Sequence, residues 1–279
     1  MNTPVKSVKN SLKILKAHSI NCPKQLKIWP EACRASPNVI FRSCLFSPRR
    51  DAKRKDFHNE PIVVIGTSKI TYRGQELRTH DEDVWLEIMH LARVHNLGKW
   101  IEFNAYDLIR SIGWVKPNRK TGKMNNPSVT HKLRLKECIS RMQATTITVE
   151  SVHIDSGCSV SLIQEFEWEG LKKWRVWISP KMKLLFGDKY FTHIEWEQRI
   201  QLSPTAKRLH GYYASHSKPY EILVEKLYKF CQAKSKIPQF KQKLYDYLNE
   251  LVRVGFLETY KITKNKVYVK RIKTKGRNK

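Results

Sequence analysis

The chain has 279 residues, 53 of them Lys or Arg against 25 Asp or Glu, for a formal net charge of +28. A surplus of that size repels itself unless a polyanion neutralises it, which points first to nucleic acid and second to an acidic membrane surface. The 41% hydrophobic content supplies material for real cores and excludes disorder throughout, while no run of about 18 apolar residues offers a membrane span.

In chain order, residues 1–58 carry many Lys and Arg, few acids and no sustained apolar period. Pro23, Pro30, Pro37 and Pro48 interrupt them, and Arg49-Arg50-Asp51-Ala52-Lys53-Arg54-Lys55 ends them. They read as a disordered basic arm. The start, Met1-Asn-Thr-Pro-Val-Lys, lacks the apolar core of a secretory signal. Ile62-Val63-Val64-Ile65 and Ile70-Thr71-Tyr72 read as short strands. Asp81-Glu82-Asp83 then opens a helix whose positive end the acids complement, and Gly98 stops it. Asn104-x-x-Asp107 caps a second helix, through Leu108, Ile109 and Ile112 to Gly113. A loop rich in Pro, Gly, Asn and Lys leads to a third helix, Ser128–Gln143, with Leu135, Cys138, Ile139 and Met142 on one stripe. Thr145–Val152, Cys158–Trp168 and Lys173–Ser179 follow as strands. Helix, helix, basic helix, hairpin is the order of a winged helix-turn-helix.

The order recurs. Pro180–Phe186 reads as a short helix and Tyr190–Trp196 as a strand. Ser203-Pro204 is a capped helix start, followed by an inner stripe of Leu209, Tyr212 and Tyr213. Glu221–Gln232 makes a second helix, and Lys234-Ser235-Lys236-Ile237-Pro238 opens a third with Phe240, Leu244, Leu248 and Leu251 inward. Gly255 ends it, and Phe256–Tyr260 with Lys266–Ile272 form a hairpin. The expected fold is α+β: two tandem winged-helix domains, 59–180 and 181–272, between the basic N-terminal arm and a basic C-terminal tail, 273–279.

A helix reads the major groove when its outward side chains reach base edges: Arg and Lys suit guanine, Asn and Gln suit adenine, and Ser or Thr suit backbone oxygens. Asn125, Asn126, Ser128, Thr130, His131, Lys132 and Arg134 gather at the amino-terminal half of the first basic helix. Lys234, Ser235, Lys236, Gln239, Gln242 and Lys243 do so at the second. Phosphate contacts are expected from the loop 116–123 and from Lys264, Lys266, Lys270 and Arg271 in the last hairpin. Either helix alone also fits a solvated face, but two, each before a hairpin, favour double-stranded DNA.

Enzyme signatures are missing. Thr121-Gly122-Lys123-Met124 lacks the first glycine and the Ser or Thr of a phosphate-binding loop. No His-hydrophobic-His motif accompanies Tyr212-Tyr213, and Asp81-Glu82-Asp83 has no second acidic cluster to complete a Mg²⁺ site. Cys22, Cys33, Cys44, Cys138, Cys158 and Cys231 form no C-x-x-C pair and read as free thiols of a reducing cytosol. The expectation is a cytoplasmic, non-enzymatic DNA-binding protein with no metal and no cofactor.

Several segments resemble, in order, the TrfA plasmid replication initiators. They are Ile70-Thr-Tyr-Arg-Gly-Gln-Glu-Leu-Arg78 with Asp83-Val-Trp85, Cys138-Ile-Ser-Arg-Met-Gln-Ala-Thr145 and Leu185-Phe-Gly-Asp-Lys-Tyr190. Leu202-Ser-Pro-Thr-Ala-Lys-Arg208 and Tyr213-x-Ser215-His216-x-x-Pro219-Tyr220 complete the set. The resemblance runs from about Trp29 to about Leu257. It implies two winged-helix domains on tandem repeats (iterons) at a plasmid origin, and melting of an adjacent AT-rich region; the basic arms are then expected to hold phosphates or the opened single strand. It also implies recruitment of the host helicase and initiator, contact with the sliding clamp, and a monomer–dimer balance that controls copy number. Two departures stand out. The family's clamp-binding peptide has the form Gln-Leu-Ser-Leu-Phe, where this chain has Gln25-Leu26-Lys27-Ile28-Trp29. The loop 116–123 is also longer than the family's. A winged-helix transcriptional repressor, acting on an operator such as its own promoter, is the alternative that the residues leave open.

Overall fold

A computed structural model describes residues 25–272 apart from 67, 119, 152–155, 171 and 187–190. Residues 1–24, with Cys22, and the tail 273–279 therefore lie outside the described residues. From Gln25 onward the expected arm is instead part of the body. Gln25 bridges to Asn96, and β1 (Cys33–Pro37) pairs antiparallel with a strand at Phe191–Glu195. α1 (Asn38–Phe41) and β2 (Phe46–Ser47) follow. Leu26, Trp29, Cys33, Ile40, Phe41 and Phe46 are all buried. They showed no apolar period because the segment threads between other elements, contributing single side chains rather than a face of its own. The terminal basic run is engaged as well: Arg49 meets Asp51 and Glu76, and Arg54 reaches Asp81 at 2.9 Å.

β3 (Asp56–Ile62) and β4 (Ser68–Gln75) precede β5 (Leu77–Arg78), which lies parallel to β2. α2 (Thr79–Ala92) is buried nearly all round, so its sequence reads as more than one face. β6 (Trp100–Phe103) leads to α3 (Ala105–Ser111), capped by Asn104, whose Oδ1 accepts from the Tyr106 amide at 2.8 Å. α4 (Val129–Gln143) buries Leu135, Cys138, Ile139 and Met142, the stripe read from the sequence. β7 (Thr146–Ser151), β8 (Ser156–Val160), β9 (Glu165–Glu169) and β10 (Lys173–Trp177) come next. The expected strand Cys158–Trp168 is thus two, serving different sheets of order β3-β4-β7-β8 and β6-β10-β9. The break is built by Leu162 and Ile163, which turn fully into the core, and by the Ser161 hydroxyl, which donates to the Thr145 carbonyl at 2.7 Å.

α5 (Met182–Phe186), β11 (Phe191–Glu195) and α6 (Trp196–Ile200) connect to α7 (Pro204–Ala214). The Ser203 hydroxyl does not cap α7. It donates instead to Glu250 at 2.7 Å, on α9 (Ile237–Arg253). β12 (Ile222–Leu223) and α8 (Val224–Phe230) lie between, so the expected helix Glu221–Gln232 begins as a strand, with Ile222 opposite Val267. Gly255, at φ +72°, closes α9 in the left-handed region. β13 (Leu257–Ile262) and β14 (Lys266–Arg271) complete a sheet of order β12-β14-β13. Two stretches therefore share helix, strand, helix, helix and a closing hairpin whose last strand lies beside the first; in the first stretch β7 and β8 are inserted between α4 and that hairpin. Among the described residues no helix is long and apolar enough to cross a membrane.

The acids at the start of α2 do far more than complement a helix end. Asp81 accepts from Arg54 at 2.9 Å and Arg141 at 2.8 Å. Glu82 accepts from Arg199 at 2.8 Å and Arg208 at 3.0 Å, and Asp83 from Arg199 at 2.8 Å and Lys207 at 2.5 Å. Glu82, Arg199 and Arg208 have no exposed side-chain surface. Removing one partner leaves an uncompensated buried charge, which costs about 3–5 kcal/mol.

This arrangement sets the response to acid. Burial alone would raise Asp81 and Asp83, but His80, Arg141 and Arg54 outweigh it for Asp81, and Lys207 and Arg199 for Asp83. Both carboxyls sit below their ordinary range. Burial pushes His80 down to about 4 and His210 down to about 3 from an ordinary 6.5. Neither ring nitrogen of His210 meets a partner among the described residues. The carboxylates contribute stability that is present above their unfolded values and lost as pH falls through the folded ones. The histidines stay neutral when folded while the unfolded chain takes protons below about pH 6.5, so their loss begins earlier.

Urea unfolding followed across pH is expected to show stability falling from about pH 6.5 downward, by up to ~1.4 kcal/mol per pH unit for each buried histidine. His210→Phe flattens the upper part of that fall; an unfolding midpoint unchanged between pH 7 and pH 5 in the wild type contradicts it. Gly211 supplies a second expectation. A Cβ there would stand 2.6 Å from Phe41 Cδ1. Gly211→Ala therefore destabilises by about 1–3 kcal/mol through overpacking, instead of gaining the ~1 kcal/mol that helix propensity offers. Phe41→Leu in the same chain recovers part of the loss, measured by the same urea titration.

Candidate nucleic-acid interface

The lead-in to α4 spends several polar side chains on its own shape. The Asn125 amide donates to the Lys116 carbonyl at 2.9 Å, and Asn126 Oδ1 accepts from Arg110 at 2.8 Å. Ser128 caps α4: its hydroxyl accepts from the His131 amide at 3.4 Å, and its own amide donates to His131 Nδ1 at 3.1 Å. These four residues fix where the helix begins and how the loop reaches it.

The cations further along are seated on aromatic rings. Lys132 lies 5.6 Å from the Tyr106 ring centre, Arg134 lies 4.4 Å from Trp114, and Lys136 lies 3.7 Å from Trp168. Such stacking holds a long side chain at the edge of an exposed face while leaving its donors directed to solvent. The rings come from α3, the turn after it and β9, three elements distant in sequence. Sequence reasoning missed them. The available signal was the spacing of Tyr106, Trp114 and Trp168 around a basic helix, which is legible only once the sheet β6-β10-β9 is known. Thr130 and Arg134 are exposed on this helix and Lys132 is half-buried.

At α9 the Lys236 amide donates to Gln239 Oε1 at 3.3 Å, so Gln239 takes part in the cap while Gln242 and Lys243 face solvent and Ser235 is half-buried. Lys234 pairs with Asp51 at 2.7 Å, joining the amino-terminal segment to the turn before α9. Hydrogen bonds from Lys234 and Arg49 hold the Asp51 carboxyl down to about 2. The Lys241 ammonium donates to the Lys264 carbonyl at 3.0 Å, tying α9 to the hairpin tip, where the Lys264 side chain is exposed. Lys266 pairs with Glu221 at 2.5 Å and Lys270 with Glu258 at 2.6 Å, both on the surface. Arg271 has a different post. It donates to the His216 carbonyl at 2.9 Å and lies 5.2 Å from the Phe256 ring centre, covering the carboxyl end of α7.

Two other groups bear on function. The peptide Gln25-Leu26-Lys27-Ile28-Trp29 has its two apolar anchors inside the protein: Leu26 and Trp29 are buried, and the Trp29 indole donates to His90 Nδ1 at 3.1 Å while stacking on Phe186. The leucine and the aromatic residue that such a peptide would offer a sliding clamp are thus both packed inside the fold. His80, Asp81 and Cys138 place ligand-type atoms within 4.8 Å of one another. Asp81 is already occupied by two guanidinium groups there, and burial raises the Cys138 thiol well above its ordinary value, so the set suits an ion pair better than a cation. Among the described residues Cys44, Cys138, Cys158 and Cys231 are free thiols.

This mixed helix-and-strand fold is found in domains 2–3 of RctB. Two crystal structures of that region, one of them of selenomethionine derivatives, match with TM-scores of 0.55 and 0.56 at 13% and 12% identity. They cover 84% and 85% of this chain and 97% and 98% of their own. Sequence comparison is more specific. The family model described as TrfA protein matches residues 5–271, and the chain belongs to the TrfA family. The plasmid replication initiator protein TrfA of Escherichia coli is 30% identical over 251 residues, 87% of this chain. The chain spans 63% of that relative's length.

Proposed function

We propose that the chain is a plasmid replication initiator, non-enzymatic and cytoplasmic, that binds tandem repeats of origin DNA through two winged-helix units. The observation that carries this reading is the repeated order of elements. Sheets β6-β10-β9 and β12-β14-β13 each set a closing hairpin beside a strand that two helices separate from it, with β7 and β8 inserted before the hairpin in the first, and each third helix turns a basic amino-terminal half outward. Family membership and a formal charge of +28 point the same way. α4 and α9 are the reading helices. Thr130, Lys132 and Arg134 act on one, and Lys236, Gln242 and Lys243 on the other. Lys264, Lys266 and Lys270 hold phosphates, with DNA competing against the surface pairs of the last two. Asn125, Asn126, Ser128, His131 and Gln239 position the helix starts, while Arg271 serves α7. The reading extends to opening of AT-rich DNA, hand-over to the host initiator and helicase, and a monomer–dimer equilibrium, with family membership as its support.

The arrangement also supports the non-enzymatic part. The acidic triplet that a metal-dependent nuclease would use is taken up by Arg and Lys partners. Tyr212 and Tyr213 are buried, with hydroxyls raised above their ordinary value by burial.

Footprinting on the encoding plasmid is expected to show protected direct repeats beside an AT-rich tract, with affinity falling steeply as salt rises. Protection of an inverted repeat over a promoter alone would identify a repressor. Arg134→Ala and Lys236→Ala are expected to weaken binding to the repeat by about five- to a hundredfold. Arg271→Ala lowers thermal stability instead. Wild-type affinity in both reading-helix variants overturns the assignment.

A further inference from the structure

The outward face of α4 carries a feature that phosphate binding does not use. Val129 and Leu133 are 65% and 56% exposed, among the most exposed large apolar side chains described. They stand one turn apart, opposite the buried stripe of Leu135, Cys138, Ile139 and Met142. Lys132, Arg134 and Lys136, each seated on a ring, border them. An aliphatic pair rimmed by cations is a poor solvated face and a poor match for an apolar protein surface, because docking there would desolvate the lysines and the arginine. It is complementary to a groove whose walls are phosphate and whose floor offers an apolar group. In the major groove that group is the thymine 5-methyl. The second unit differs. On α9 the side chains at the middle of the outward face are Gln242, Lys243 and Asp246, amide and charge, while the exposed Ile237 and Tyr245 lie to its side.

We propose that Val129 and Leu133 read thymine methyl groups, so that the first unit gains specificity by apolar contact and the second by hydrogen bonds. This rests on α4 being a reading helix, as in the proposed function. Lys132, Arg134 and Lys136 flank the pair and set the depth at which the two side chains meet the bases.

The test is binding of the full chain to the protected repeat, with thymines replaced one at a time by deoxyuridine, which removes the methyl and nothing else. Wild type is expected to lose about three- to tenfold in affinity at one or two positions. Leu133→Ala or Val129→Ala should bind the thymine duplex at that reduced level and be indifferent to the same replacement. Both positions are solvent-facing and Ala is a good helix former, so folding is preserved. A wild type that discriminates the repeat from shuffled DNA yet tolerates every replacement overturns the proposal and leaves the initiator reading standing. So does a Leu133→Ala chain that keeps the full deoxyuridine penalty, or one altered only in self-association by sedimentation. No preference for the repeat over shuffled DNA overturns both.

Discussion

Three consecutive carboxylates at the first turn of α2 are buried in a chain that carries 28 more positive than negative charges, and their cationic partners come from four separate segments. An isolated buried carboxylate costs several kcal/mol, so each can exist only where its partners arrive in good geometry. Asp81 requires Arg54 from the amino-terminal segment and Arg141 from α4. Glu82 requires Arg199 from α6 and Arg208 from α7, and Asp83 requires Arg199 and Lys207. The triplet therefore fixes both halves of the molecule with respect to one helix.

That constraint reaches both proposed reading helices. Arg141 sits near the carboxyl end of α4, so the Asp81 contact anchors the far end of the helix whose amino-terminal half is exposed. Arg208 anchors α7, and α7 in turn holds α9 through buried packing and through the Ser203–Glu250 hydrogen bonds at its start. The amino-terminal segment closes the frame. Phe41 presses on Gly211, and the Arg208 guanidinium donates to the Ser43 carbonyl. These contacts tie the stretch that carries α4 to the stretch that carries α9.

Much of this could be read from the residues, and the exceptions share a cause. Local signals held: the Ser128 start of α4, its inner stripe, the Asn104 cap and the Gly255 stop depend only on neighbours a turn away. The TrfA relationship was legible for the same reason, since its motifs are short and contiguous. What the sequence hid was long-range. Trp29 and Phe41 looked like isolated apolar residues in a basic, proline-broken arm because their partners lie far away in sequence. Asp81, Glu82 and Asp83 looked like ordinary helix-end acids because the guanidinium and ammonium groups that pair with them lie 27 or more residues away. The carbonyls of α7 and His216 to which Arg271 donates were likewise hidden, because nothing near it in the chain names them. The expected strand Cys158–Trp168 failed in the same way, its two halves claimed by different sheets.

If one frame holds α4 and α9 and both engage a single duplex, their joint binding depends on the phase of the DNA between them. The decisive measurement inserts about five base pairs, half a turn of B-DNA, between the two halves of the protected repeat and follows affinity at fixed salt. A rigid two-unit reader loses most of its specific binding, because the second helix then faces the wrong side of the duplex, and a full-turn insertion does not restore contacts that the frame cannot reach. Affinity unchanged by the half-turn insertion means that the two units bind independently, and contradicts the account.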